Sequence, residues 1–115
     1  MNKTTGLTNK EIENLAIKFV KTKYPNAKSM PHGSGYDLEI GGKIVEVKGT
    51  ASDKYKQNIF FSRSKEHDVW LNNKEKYWLF RVFNVGSQNI ELVEISGRDI
   101  EPIKDPRWRI KINRP

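Results

Sequence analysis

The sequence predicts an α/β fold: a mixed central sheet flanked by helices, with extra strands at the C-terminal end. Three observations predict it. A capping box followed by a 3.6-residue apolar period marks an N-terminal helix. A Gly-Gly turn between two alternating runs marks a hairpin. The run Tyr77-Trp78-Leu79-Phe80-Arg81-Val82-Phe83 is apolar on both faces except at Arg81, so it reads as a central strand. The resulting order of helix, three strands, helix and strand is an α/β layout.

Thr8-Asn9-Lys10-Glu11 is the capping box, and Ile12, Leu15, Ala16, Phe19 and Val20 follow at helical spacing until Pro25. The first helix is expected over 8–24. Glu11 is committed to the cap. Glu13 lies at the margin of the apolar face, where it either leans toward the packed surface or stays in solvent. Ala27 to Pro31 suggests a short strand. Residues 36–40 and 43–49 are the hairpin strands, followed by a polar loop, Gly49 to Lys56, and a short apolar strand at Ile59-Phe60-Phe61. Ser62 or Ser64 would cap a second helix running to about Asn73. Strand 77–83, a turn at 85–89 and a strand at 90–95, expected at the sheet edge, follow. The tail alternates Arg107, Arg109 and Lys111 against Trp108, Ile110 and Ile112. That pattern is a strand with one basic face, either a charge-protected edge or a phosphate contact.

At 115 residues the chain is expected to form one domain, with a core over about 8–95 and a basic extension over 96–115. It has no cysteine, which excludes disulfides, thiolate metal sites and a Cys nucleophile. No run approaches membrane-spanning length and no signal-peptide pattern opens the chain, so the expectation is a cytoplasmic protein with no membrane partner. Twenty-one Lys and Arg against fourteen Asp and Glu leave a net charge of +7, which favours a polyanionic partner such as DNA.

The hairpin carries the chemistry. With Gly41-Gly42 as the loop, Ile40 pairs with Lys43, Leu38 with Val45, and Asp37 with Glu46. Lys48 shares the face of Glu46. Tyr36, Leu38, Ile40, Val45 and Val47 are then expected on the opposite, core face. Two carboxylates about 5 Å apart repel by roughly 3 kcal/mol at an effective dielectric of ~20, which a bound cation would relieve. Oxygen donors suit Mg²⁺ or Mn²⁺, with the Val47 carbonyl as a further ligand. A lysine beside such a site would stabilise a phosphoryl transition state or orient a water.

Asp37 followed by Glu46-Val47-Lys48 resembles the PD-(D/E)XK nuclease motif. Together with Gly35-Tyr36-Asp37, Val45 to Thr50, Phe60-Phe61-Ser62-Arg63 and Tyr77 to Asn84, it is similar to the Mrr-like domain at the C-terminus of NO VEIN proteins. The resemblance covers roughly residues 8–95. It implies a restriction endonuclease-like αβββαβ core and a Mg²⁺- or Mn²⁺-dependent DNA endonuclease. It further implies catalytic Asp37, Glu46 and Lys48, and metal ligands Asp37, Glu46, Val47 and Glu13. A homodimer, and association with helicase or methyltransferase components, are expectations of the same kind. The family's proline before the aspartate is replaced here by Ser34-Gly35-Tyr36.

Lys54, Lys56, Arg63, Lys65, Arg107, Arg109 and Lys111 are candidate nucleic-acid contacts, each with a solvated surface position as the competing reading. Trp70, Trp108 and Tyr55 are stacking candidates. Arg81, alone in an apolar strand, is expected to pair with Glu91 or Glu94. Two rival functions remain at this level. One is a non-cleaving nucleic-acid-binding or protein-interaction module. The other is an enzyme resembling Holliday-junction resolvases.

Overall fold

The computed structural model describes residues 6–53, 59–61, 64–104 and 108–112, with the backbone alone at 59–60, 102–104 and 108–109. The first helix, α1, spans Asn9–Lys23 with Thr8 as its N-cap. The Glu11 N–H donates to Thr8 Oγ1 at 3.1 Å, and the Thr8 N–H donates back to Glu11 Oε1 at 2.8 Å. Two donors of the helix start are thereby satisfied reciprocally. Strands β1 (Lys28–Ser29), β2 (Leu38–Ile40) and β3 (Lys43–Gly49) follow. Then come β4 (Ile59–Phe60), helix α2 (Ser64–Asn72), β5 (Tyr77–Phe83) and β6 (Glu91–Ser96). A single 3₁₀ turn at Gly97–Asp99 leads into β7 (Ile100–Lys104) and β8 (Trp108–Ile112).

Among the described residues the strands form a five-stranded mixed sheet, ordered β1-β2-β3-β5-β6, and a three-stranded sheet, ordered β4-β8-β7. β3 and β5 are parallel, with α2 in the crossover between them, and the remaining pairs are antiparallel. β5 is central and β6 lies at the edge, as the sequence pattern expects. The tail strand differs from expectation. β8 lies between β4 and β7, so it is the middle of the small sheet and not a protected edge. The partner strand β7 lies beyond the motifs that sequence reading recognises.

The hairpin register is the expected one, Ile40 with Lys43 and Leu38 with Val45. Gly41 and Gly42 take φ of 55° and 85°, the left-handed pair that a two-residue type I′ turn requires. One detail of the alternation changes. The Asp37 N–H donates at 3.1 Å to the Val45 carbonyl, although Leu38 is already the partner of Val45. Two residues facing one is a β-bulge. The extra residue moves Tyr36 off the face of Leu38 and onto the opposite one, where it packs beside Ile44 and Tyr77.

The large sheet is covered on both sides. Ala16 and Val20 of α1 pack on Leu38, Val45, Val47, Phe80 and Val82. The other face is packed by Trp70 of α2, Ile100 of β7 and Ile110 of β8, against Ile44, Tyr77 and Leu79. Trp70 is therefore a core residue and not a base-stacking platform; its indole N–H donates to the Gly97 carbonyl at 2.8 Å. No helix among the described residues is long and apolar enough to cross a membrane.

The seat of α1 on β3 depends on Gly49. A Cβ there would lie 2.7 Å from Ala16 Cβ, closer than real side chains approach. Gly49→Ala is expected to push α1 off the end of β3 and cost about 1–3 kcal/mol. A shift of the urea midpoint to lower concentration at unchanged slope checks this. An unchanged midpoint would show that the helix has room to give.

Candidate active site

The bulge aims Asp37. Its backbone is held on both sides, with the N–H on the Val45 carbonyl and the carbonyl accepting from Met30 N–H at 3.0 Å. Its carboxylate takes the place of a ladder carbonyl: Oδ2 accepts the Val47 N–H at 2.8 Å. In an extended strand a residue's N–H and C=O point to the same neighbour, so the Val47 carbonyl also faces the Asp37 side. Glu46 and Lys48 project from the face opposite Val45 and Val47, where the core side would be apolar.

Glu46 is only 3% exposed, yet it sits between charges. Lys48 Nζ lies 3.3 Å from Glu46 Oε2 and 3.1 Å from Glu66 Oε1. Glu66, from the first turn of α2, completes a cluster that sequence reading did not assemble. Its signal was ambiguous, because an acid in the first turn also suits the positive end of the helix dipole.

The titration behaviour follows from this crowding. Burial, then the charge of Asp37, drives the Glu46 carboxyl well above its ordinary range; Lys48 only partly offsets them. Burial also raises Asp37. The Val47 N–H works against that shift, and Glu13 and Glu66 add to it. Burial alone would lower Lys48, but the charges and hydrogen bonds of Glu46 and Glu66 outweigh it and hold the ammonium above its ordinary value. The Tyr77 hydroxyl is enclosed without a hydrogen-bond partner among the described residues. Burial, then Glu46, Glu66 and Asp37, raises it well above 10.

Asp37 and Glu46 open into a cavity of about 630 Å³ between the start of α1, the β1–β2 connection and the start of α2. Glu13, Glu66, Lys10 and Lys65 also line it. Glu13 is an exposed residue that nonetheless reaches this cavity, and its charge is felt at Asp37. Lys65 is thus brought to the site, while Lys111 is not. Lys111 lies on the small sheet, opposite Glu101 in register and 3.9 Å from its carboxylate. The backbone of Arg109 is in β8, paired with Phe60 and Ile103. Lys54, Tyr55, Lys56, Arg63 and Arg107 lie outside the described residues.

Among the described residues, no three His, Asp or Glu side chains form a group that would hold a metal by themselves. The two closest donors in the sequence motif, Asp37 and Glu46, are all-oxygen and over-charged for their burial. That donor set suits a small hard cation that keeps several of its waters, and Mg²⁺ is such an ion.

Among the described residues no ion pair joins Arg81 to Glu91 or Glu94, the partners expected from sequence. Glu94 stands opposite Phe80, one residue out of phase with Arg81, and its carboxylate accepts from Tyr24 Oη at 2.5 Å. Arg81 is 4% exposed, with its guanidinium 4.7 Å from the Phe83 ring centroid. A cation–π contact contributes ~0.5–2 kcal/mol. Burying an ion costs several kcal/mol. Burial lowers the Arg81 guanidinium to about 10.

Comparison with known proteins places the chain. The family model described as Protein NO VEIN, C-terminal, matches residues 7–95. The chain belongs to this family. The match spans α1 to Ile95 in β6 and so contains the whole Asp37–Glu46–Lys48–Glu66 cluster. No curated protein and no solved structure shows a significant match.

The raised carboxylates fix a pH dependence. A carboxyl whose folded pKa is raised stabilises the fold below its unfolded value and loses that contribution as pH rises through the folded value. Metal-free protein is therefore expected to melt higher at pH 5.5 than at pH 8. Glu46→Gln should flatten that slope, since the amide does not titrate. Melting in EDTA across this range is the measurement, and equal slopes for the two proteins would contradict the assignment.

Proposed function

We propose that the chain is a Mg²⁺-dependent endodeoxyribonuclease of the PD-(D/E)XK kind. The observation that carries the reading is the convergence of Asp37, Glu46 and Lys48 beside an open cavity, on a hairpin whose strands position all three. Leaving aside β4, which joins the small sheet, the large sheet and helices run α1-β1-β2-β3-α2-β5, with β3 and β5 parallel around α2, which supports a restriction endonuclease-like αβββαβ core. Membership of the NO VEIN C-terminal family is consistent with it. The basic charge of the chain suits a DNA substrate.

In this reading Asp37 and Glu46, with the Val47 carbonyl, would hold the cation. When bound, Mg²⁺ would supply charge stabilisation at the phosphoryl oxygen and ease deprotonation of water. Lys48 stays protonated between Glu46 and Glu66, and its ammonium stabilises the charge that develops on the phosphoryl group. The reaction is phosphodiester hydrolysis. A water oxygen–phosphorus bond forms and the phosphorus–oxygen ester bond breaks; the attacking water loses one proton to solvent and the leaving alkoxide takes one from it. Glu66 acts through Lys48, by fixing its position. Glu13 borders the cavity and adds negative charge on the α1 side.

A second reading is a nucleic-acid-binding module that does not cut. The specific observation favouring it is that no three-carboxylate cage is assembled among the described residues. The two readings separate on ion binding and cleavage. Nuclease activity predicts that 5–10 mM Mg²⁺ or Mn²⁺, on the order of typical assay concentrations, raises the melting temperature of the wild type at pH 8. Asp37→Asn and Glu46→Gln should abolish that rise. Lys48→Ala should keep the ion response but lose about 10²-fold or more in cleavage rate, the scale of removing one transition-state donor. The assay covers duplex, nicked, branched and single-stranded DNA. Salt-dependent binding without cleavage of any form, unchanged by Glu46→Gln, would select the binding module.

A further inference from the structure

Two buried side-chain polar atoms lack a hydrogen-bond partner among the described residues, Tyr77 Oη and Arg81 Nε. Both belong to β5, four residues apart and therefore on one face. That face is the one carrying Glu46 and Lys48 on the adjoining strand. The register pairs Glu46 with Leu79 and Lys48 with Arg81. Arg81 is thus the direct neighbour of the site lysine, on the same side of the sheet.

Among the described residues Arg81 has no counter-ion. Asp105 is the one acidic side chain of the sequence outside the described residues, and none of the described carboxylates bonds the guanidinium. What holds Arg81 is the Phe83 ring, itself buried. A cation held over a ring face keeps its N–H groups as donors. The chain around it is also fixed. Thr50 N–H donates to the Val82 carbonyl and Val85 N–H to the Thr50 carbonyl, each within 3.0 Å. The loop leaving Lys48 is so pinned to the end of β5. A desolvated guanidinium at the carboxyl ends of two parallel strands, its Nε without a partner among the described residues, is placed to receive an anion.

We propose that Arg81 binds a backbone phosphate of the nucleic acid, next to the phosphodiester that Lys48 faces. The assignment rests on the reading of this face as a nucleic-acid site, but not on cleavage. A guanidinium edge matches two phosphate oxygens at once, whereas an ammonium is a point charge. Arg81 would then fix the register of the strand relative to Asp37 and Glu46. It is a binding residue distinct from the metal and proton chemistry.

The test is DNA binding in EDTA, where no cleavage occurs, titrated against KCl for wild type, Arg81→Lys and Arg81→Met. Arg81→Met is expected to lose about tenfold in affinity and to reduce the log–log salt slope by about 0.9, the value for one phosphate contact. Arg81→Lys should recover the slope while remaining weaker than wild type. An unchanged slope in folded Arg81→Met overturns the proposal and leaves the nuclease reading standing. Binding with the expected slopes but no cleavage in Mg²⁺ defeats the nuclease reading and leaves Arg81 in place. If the variants fail to fold, the wild type alone decides. Inorganic phosphate should raise its melting temperature above chloride at equal ionic strength, and no rise overturns the assignment. A wild type that binds neither duplex nor single strands overturns it as well.

Discussion

The hydrogen bond from the Val47 N–H to the Asp37 carboxylate, 2.8 Å long, ties the fold to the site. An antiparallel ladder would give that N–H to a main-chain carbonyl. Here a side chain takes it, and β2 can only present that side chain by bulging at Asp37. The bulge has three consequences at once. It ends the regular pairing of β2, it turns Tyr36 into the second core cluster, and it brings a carboxylate beside Glu46. A uniform hairpin would keep the pattern of alternating faces and lose this placement.

Around that bond the molecule carries charge where packing would favour aliphatic groups. The Asp37, Glu46 and Glu66 carboxylates surround one ammonium, that of Lys48, in a chain whose overall charge is +7. The local excess is therefore opposite in sign to the whole. A polyanion would be drawn by the long-range field, while a cation is favoured at short range by unscreened carboxylates. The two preferences do not compete, because they act over different distances. Glu66 links them mechanically, since it belongs to α2 and its hold on Lys48 spans the crossover between the parallel strands.

Much of this was legible from local pattern. The capping box, the Gly-Gly turn and the hairpin register depend on residues within a few positions of one another, so the sequence displays them directly. The bulge was not visible, because it depends on a side chain outcompeting a carbonyl for one N–H. Glu66 was missed because the approach of α2 to β3 is a tertiary fact. The Arg81 ion pair failed for a related reason. The β5–β6 register sets Glu94 against Phe80, and no local pattern states that register. The place of β8 in the middle of the small sheet depends on β7 and β4, the latter nearly fifty residues away in the chain. Local chemistry named Asp37, Glu46 and Lys48; only packing could say what surrounds them.

The departures from ordinary folding rules are not scattered. The α1 face of the large sheet follows the ordinary rules, with small Ala16 over Gly49 and a buried cluster that is apolar throughout. The opposite face holds a carboxylate at 3% exposure and, among the described residues, an enclosed phenol without a partner and a buried guanidinium without a counter-ion. All three lie on β3 and β5, within two neighbouring strands. Apolar residues of similar volume at these positions would remove the cost of desolvation and, by comparison with other buried ionic groups, often stabilise a fold. A sheet that meets every rule on one side and breaks several on the other is tuned on that second side to something besides its own stability. There the Asp37, Glu46 and Glu66 carboxylates crowd the Lys48 ammonium, and among the described residues Tyr77 Oη and Arg81 Nε have no hydrogen-bond partner. In the proposed nuclease reading, a hydrated divalent ion would answer the carboxylates and a backbone phosphate the Arg81 guanidinium, one ligand assembly for two neighbouring strands.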